Sequence, residues 1–332
     1  MKFSLRSISA APILSEGTTG RADIWGYIFA LIGTAFFAMK AIFVKLAYLP
    51  SSDVTVDGVE PVTLLALRMG FALPVYILIL LFALRKYKSV NGHNPSLGLF
   101  IKAAALGALG YYICAYLDFT GLVYITAQLE RMLLFTYPAF VIILGAIFFG
   151  GRITKIGIVS VLIAYSGLAI IYLGGEIAVG ANVILGSCLI IGCAIFFALF
   201  QLMAKSQINS LGGILFTCIA MLGATTSIFI HFLYSSLTHE GIIAALNLPA
   251  RIFLIGALIA FLSTLIPSFC VNIAIGRVGA QAVATIGMLS PAVTIVMAVW
   301  LLGEPFGWLD GVGTALTMLG IGFYTWHDRR QT

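Results

Sequence analysis

An all-α, polytopic membrane protein with ten transmembrane helices in two inverted five-helix repeats is the fold expected of this chain. Hydrophobic residues make up 61% of its 332 residues and charged residues 9%, against roughly 25% charged in an ordinary soluble domain. Its apolar residues gather into ten runs, each near the roughly 20 residues a helix needs to cross a bilayer. Stretches of the first half also recur in the second.

In order, the runs are 24–48, 61–84, 97–117, 121–149, 154–173, 183–204, 211–235, 251–268, 278–302 and 307–326. The alternating ten-residue pattern of a membrane β-barrel is missing. Residues 1–23 hold Lys2 and Arg6 but no apolar core of signal-peptide length, so a cytoplasmic tail is expected, with a weak Ser/Arg-rich transit character up to Ser15 beside that reading. Residues 327–332 form a second cytoplasmic tail.

The net charge of +6 comes from basic residues spread over loops, which speaks for topology and against a nucleic-acid face. With the N-terminus inside, Arg85, Lys86, Lys88, Arg152, Lys155, Lys205, Arg277, Arg329 and Arg330 fall on the cytoplasmic side. Asp53, Asp57, Glu60, Glu176, Glu240, Glu304 and Asp310 fall outside. That skew follows the positive-inside rule and puts both termini in the cytoplasm, with a bacterial inner (plasma) membrane as the expected location.

The repeat is legible residue by residue. "FFAMKAIFVK" at 36–45 lies over "FFALFQLMAK" at 196–205, with Lys45 over Lys205 at an offset of 160. "AQLERMLLFTYPA" at 127–139 lies over "AQAVATIGMLSPA" at 280–292, with Pro138 over Pro291 at an offset of 153. The repeats are read as 24–174 and 183–326. Five spans in each means that the second enters the membrane upside down, the architecture of secondary transporters that bind substrate near the midplane between halves.

These features, together with the Pro291 span running into "GEP" at 303–305 and a Gly-rich last helix, resemble the drug/metabolite transporter superfamily, EamA type. The resemblance covers nearly the whole chain. It implies an exporter or importer of small metabolites, often amino acids or related compounds; a transporter of carboxylate-bearing solutes, with export the favoured direction, is the expectation for this chain. One departure is "GGR" at 150–152, where Gly151 stands in place of the acid carried at Glu304.

Four charges lie inside the spans: Lys40, Arg68, Glu130 and Arg131. At 1.5 Å per residue, Lys40 is about 12 Å below the outer end of the first span, Arg68 about 10 Å into the second, and Glu130 and Arg131 about 13–15 Å into the fourth. A mid-membrane charge costs roughly 2.5–3.5 kcal/mol, so they must face one another or water. Glu130 and Arg131, about 100° apart around a helix, are not expected to pair. Glu130 is expected to bridge Arg68 or Lys40, leaving Asp118 for Arg131. The surplus of positive charge is expected to receive a substrate carboxylate, since arginine presents a planar donor fork. A helix-locking role stands beside that reading. Asp118 and Glu130 are candidates for coupling to protons.

The matched positions Phe200, Val283 and Ala284 carry no charge, so an apolar wall is expected from the second half. Tyr112, Gln128, Gln201 and Gln281 complete the candidate substrate set. Pro138 and Pro291 are candidate bends, each leaving the carbonyl four residues earlier without its donor. No phosphate loop, nucleophile constellation or metal-ligand cluster is present, so neither enzyme activity nor a cofactor or metal is expected. The five cysteines lie in spans and make no C-x-x-C pair. Expected partners are a small molecule and the lipid bilayer, with the oligomeric state open. Two other readings remain at this stage: efflux of lipophilic cations, and a lipid-carrier flippase subunit without solute transport.

Overall fold

The computed structural model describes residues 24–49, 59–149, 155–174, 182–238, 241–287 and 289–328. Both expected tails fall outside the described residues, save for the end of the last helix; so do the GGR motif and most of the outer loop at 49–60. Every regular element among the described residues is helical.

The first span is two helices, α1 (Ile24–Ala38) and α2 (Lys40–Tyr48), meeting at Met39. Then α3 (Pro61–Asn91) opens on a proline, whose missing N–H is harmless in a first turn. It stops at Gly92, where φ is 76° and the Gly92 N–H reaches the Lys88 carbonyl at 2.8 Å. The third span joins α4 (Leu97–Gly107) through a π turn, Ala108–Ile113, to α5 (Cys114–Tyr124). The fourth is α6 (Ala127–Leu134) and α7 (Tyr137–Phe148), and the fifth is α8 (Lys155–Gly174).

In the second half, α9 (Val183–Leu211) and α10 (Gly213–Thr238) are followed by a single turn, α11 (Ile242–Ala245). From α12 (Ala250–Ala260) the chain continues through a π turn, Phe261–Leu265, into α13 (Ile266–Gly287). It ends with α14 (Ser290–Met297), a π turn Ala298–Leu302, and α15 (Trp308–Asp328). Seven helical segments are long and apolar enough to cross a membrane, with Ile158–Gly174 and Ser290–Leu302 as shorter apolar helices. This is an all-α polytopic membrane protein.

Two boundaries differ from expectation. The break expected near 118–120 falls at Ile125–Thr126, because Ile125 is extended and the Thr126 hydroxyl caps α6 by accepting from the Leu129 N–H at 3.2 Å. Glu130 therefore lies within the first turn of α6, only about 5 Å along it. The break expected at 269–277 is missing: α13 runs through it, since Asn272, Gly276 and Arg277 are tolerated in a helix packed along α1.

Small residues set the packing. At the α8–α15 seam, a Cβ on Gly167 would stand 2.4 Å from the Gly313 carbonyl oxygen, and one on Gly320 2.6 Å from that of Ser160. With no hydrophobic drive between helices in lipid, such close backbone approach is what holds them. The pairings are reciprocal: α5 of the third span packs on α9 of the sixth, and α13 of the eighth on α1 of the first.

Candidate functional site

The break at Met39 decides where the charges meet. The Ala38 carbonyl, at the end of α1, accepts from Arg131 Nη2 at 3.3 Å and from Thr294 Oγ1 at 3.2 Å. The interrupted first span is thus held by one residue from α6 and one from α14. Lys40 is the first residue past the break, and its Nζ lies 2.5 Å from Asp118 Oδ2 and 3.5 Å from Glu130 Oε1. Glu130 and Arg131 are fully buried, Asp118 2% exposed and Lys40 9% exposed. Phe37 lies against the Arg131 guanidinium, 5.7 Å from its ring centroid.

Several expectations need correction here. Asp118 partners Lys40, not Arg131, because the later end of α5 brings Asp118 level with the first span's break. Glu130 bridges to Lys40 as expected, but not to Arg68. Arg131 Nε approaches Glu130 Oε2 at 3.8 Å, within ion-pair range though beyond a hydrogen bond; its long side chain folds back over the turn, which backbone angle alone does not forbid. With Arg68 elsewhere, the cluster holds two cations, Lys40 and Arg131, against two carboxyl groups, Asp118 and Glu130. It carries no formal surplus. Asp118 Oδ1, Glu130 Oε2 and Arg131 Nη1 are buried without a hydrogen-bond partner among the described residues.

Arg68 is separate and half-buried. Its Nε donates to Thr264 Oγ1 at 3.0 Å, and the Thr264 hydroxyl donates in turn to the Ile259 carbonyl at 3.0 Å. Thr264 lies in the π turn of the eighth span, where backbone groups leave the regular ladder and functional sites are often found. The guanidinium also lies 5.8 Å from the Phe119 ring centroid. Among the described residues Arg68 has no carboxylate partner.

The uncharged candidates scatter. Tyr112 hydrogen-bonds His231 Nδ1 at 3.1 Å, and His231 packs edge-on to Tyr116 at 4.8 Å between centroids, an aromatic trio joining the third span to α10. Gln128 is fully buried, and its Nε2 donates to the Pro305 carbonyl at 3.1 Å, so its side chain holds a loop of the second half instead of facing a chamber. Gln201 meets the Tyr137 hydroxyl beside the α6–α7 break. Gln281 lies on α13, and its side chain is outside the described ones. Pro138 and Pro291 each stand one residue inside a new helix, α7 and α14, and the spans break before them as expected. Thr136 Oγ1 donates to the Leu133 carbonyl at 2.6 Å at the first of these breaks.

Sequence reasoning missed Thr264, Thr294 and the structural use of Lys45 and Glu304. The Glu304 carboxylate accepts from the Ala127 N–H at 2.8 Å and the Gln128 N–H at 3.2 Å. A signal that could have revealed the helix start there is Thr126, a residue type favoured at N-caps.

The model of the EamA-like transporter family matches residues 24–173 and again 184–326. The chain belongs to that family. Among its relatives, the uncharacterized transporter YcbK of Bacillus subtilis is 29% identical over 87% of this chain and 88% of its own. The uncharacterized transporter sll1319 of Synechocystis is 26% identical over 90% and 92%. A solved crystal structure covers 93% of this chain and 99% of its own with a TM-score of 0.55 at 13% identity, a likeness of fold alone. This EamA-family chain is a multi-pass membrane protein of a transporter family.

Proposed function

We propose that this protein is a secondary transporter of small carboxylate-bearing metabolites, amino acids among them, working by alternating access in a bacterial inner membrane with both termini in the cytoplasm and export as the favoured direction. Arg68 carries the reading. A guanidinium at membrane depth is stable only where something compensates its charge, and here it is held by Thr264 of the second half, with no carboxylate in ion-pair range among the described residues and Asp118 acting on it only from further away. A substrate carboxylate supplies the missing partner through the planar fork.

The reciprocal packing of third on sixth and eighth on first spans supports two halves related by a pseudo-twofold, the arrangement that rocking requires. Lys40, Asp118, Glu130 and Arg131 lock the broken first span to the third and fourth in this reading. Asp118 and Glu130, which share Lys40 as a partner, are its proton-coupling pair, with Lys40 and Arg131 the cations facing them. Efflux of lipophilic cations is disfavoured, since both acids already face Lys40.

Purified protein in sealed liposomes tests the proposal. Exchange of radiolabelled amino or organic acids is expected, reduced at least tenfold in Arg68→Ala and partly retained in Arg68→Lys. Lipid translocation with no solute exchange would overturn it in favour of the flippase reading.

A further inference from the structure

The elbow between α5 and α6, at Ile125 and Thr126, is bracketed by two opposite charges from elsewhere in the chain. On the α5 side, Lys45 Nζ donates to the Leu122 carbonyl at 3.2 Å and the Ile125 carbonyl at 3.0 Å. On the α6 side, the Glu304 carboxylate takes the first two N–H groups of the helix, and Thr126 takes the third. Each charge thus sits on the helix end of opposite partial charge. Three of the four donors that a helix start normally leaves free are thereby engaged.

Lys45 belongs to the first half, whereas Glu304 follows the ninth span. Gly303, with φ 63°, turns the chain so that Glu304 is presented to α6. The Gln128 side chain adds a third bond to this loop at the Pro305 carbonyl. Three hydrogen bonds therefore join the halves at one mouth, and Glu304 is 9% exposed.

The opposite mouth lacks the parts. At the offset of 153, Glu304 corresponds to Gly151, which has no side chain to offer. Ala127 corresponds to Ala280, and there α13 continues without a break, so no helix start presents free N–H groups. Lys205, the counterpart of Lys45, is exposed.

We infer that Glu304 is a one-sided latch: it holds closed the mouth that carries Lys45 and the α5–α6 elbow, and it must leave the α6 N-terminus each time that mouth opens. The inference rests on alternating access but assumes no particular substrate.

The test uses the full-length chain with its native cysteines replaced and a single reporter, Leu122→Cys, beside the elbow. Labelling by a membrane-impermeant maleimide is followed separately from each face of sealed vesicles, so the readout does not depend on solute flux. Glu304→Gln, and more strongly Glu304→Ala, is expected to raise the labelling rate from the latch face by roughly tenfold, the scale of a lost hydrogen bond to a charged acceptor, and not from the other face. A Gln128→Cys/Pro305→Cys pair with Glu304 intact, oxidised to a disulfide, is expected to slow labelling from the latch face relative to the same pair kept reduced, scored by mass spectrometry at the peptide carrying the Leu122→Cys reporter alone. That pair gives up the Gln128 side-chain bond but keeps both Glu304 bonds to the α6 N–H groups, so it covers the case in which Glu304→Ala fails to fold. Unchanged rates in all variants, or an equal rise from both faces, would overturn the latch. Latched labelling without exchange of amino or organic acids would instead leave the latch standing and sink only the carboxylate-substrate reading.

Discussion

Lys40 is the residue on which the buried cluster turns, because among the described residues it is the one cation within ion-pair range of both carboxyl groups. Removing one member of a buried pair leaves its partner desolvated and unpaired, an effect of about 3–5 kcal/mol. Lys40→Met should therefore lower the thermal midpoint and folded yield sharply, as followed by fluorescence-detected gel filtration. Lys40→Met combined with Asp118→Leu should cost clearly less than the sum of the two single changes, since the double variant buries no orphan charge. Additive losses would mean that the pair is not coupled. Arg68, bonded to Thr264 and lying on an aromatic ring with no ion pair among the described residues, should behave oppositely: Arg68→Met should leave the midpoint near that of the parent while transport falls.

Among elements, the broken spans matter most. In α6–α7 the proline at position 138 removes the donor of the Leu134 carbonyl, and beside it the Leu133 carbonyl accepts from both the N–H and the hydroxyl of Thr136. Pro138→Ala restores the donor and should lengthen the helix, with a stability gain limited to well under the roughly 3 kcal/mol intrinsic proline penalty because the neighbouring breaks are already satisfied. Transport should slow if the bend moves during the cycle; an unchanged turnover would mark it as static. The α8–α15 seam predicts the reverse. Gly167→Val places a Cβ against the Gly313 backbone, so overpacking of about 1–3 kcal/mol or more is expected, read as a fall in thermal midpoint that Gly174→Ala, facing a movable Leu309 side chain, does not match.

At the scale of the whole molecule, the charge skew makes a geometric prediction. Asn91→Cys, at the end of α3 beside Lys86 and Lys88, should be labelled by an impermeant thiol reagent only from the cytoplasmic face. Thr238→Cys, at the end of α10, should be labelled only from the other. Labelling of both from one face would reverse the topology and with it the outward assignment of the Glu304 mouth.

The architecture was legible early because its signals are local and repeated. Apolar run length reports a helix in lipid without reference to any neighbour, and the match of 127–139 to 280–292 needs no coordinates. Pro138 and Pro291 could be placed at helix breaks for the same reason: a missing N–H acts on its own turn. The boundary at Ile125–Thr126 was read too early, since an apolar run looks the same on either side of an extended residue. The continuous α13 was missed because polar Asn272 and Arg277 resemble a loop in sequence, whereas the helix that carries them packs along α1.

Run lengths, charge skew and the duplicated motifs determined, without any coordinates, that this chain is helical, crosses the membrane many times and carries charge inside it. Which charges touch was decided only in three dimensions. Lys40 chose Asp118, Arg68 chose Thr264, and Glu304 chose a helix start 177 residues away from it in the chain. Pairing depends on the depth and rotation at which whole helices pack, and small glycine contacts set those, so residues at similar heights along their own helices still find different partners.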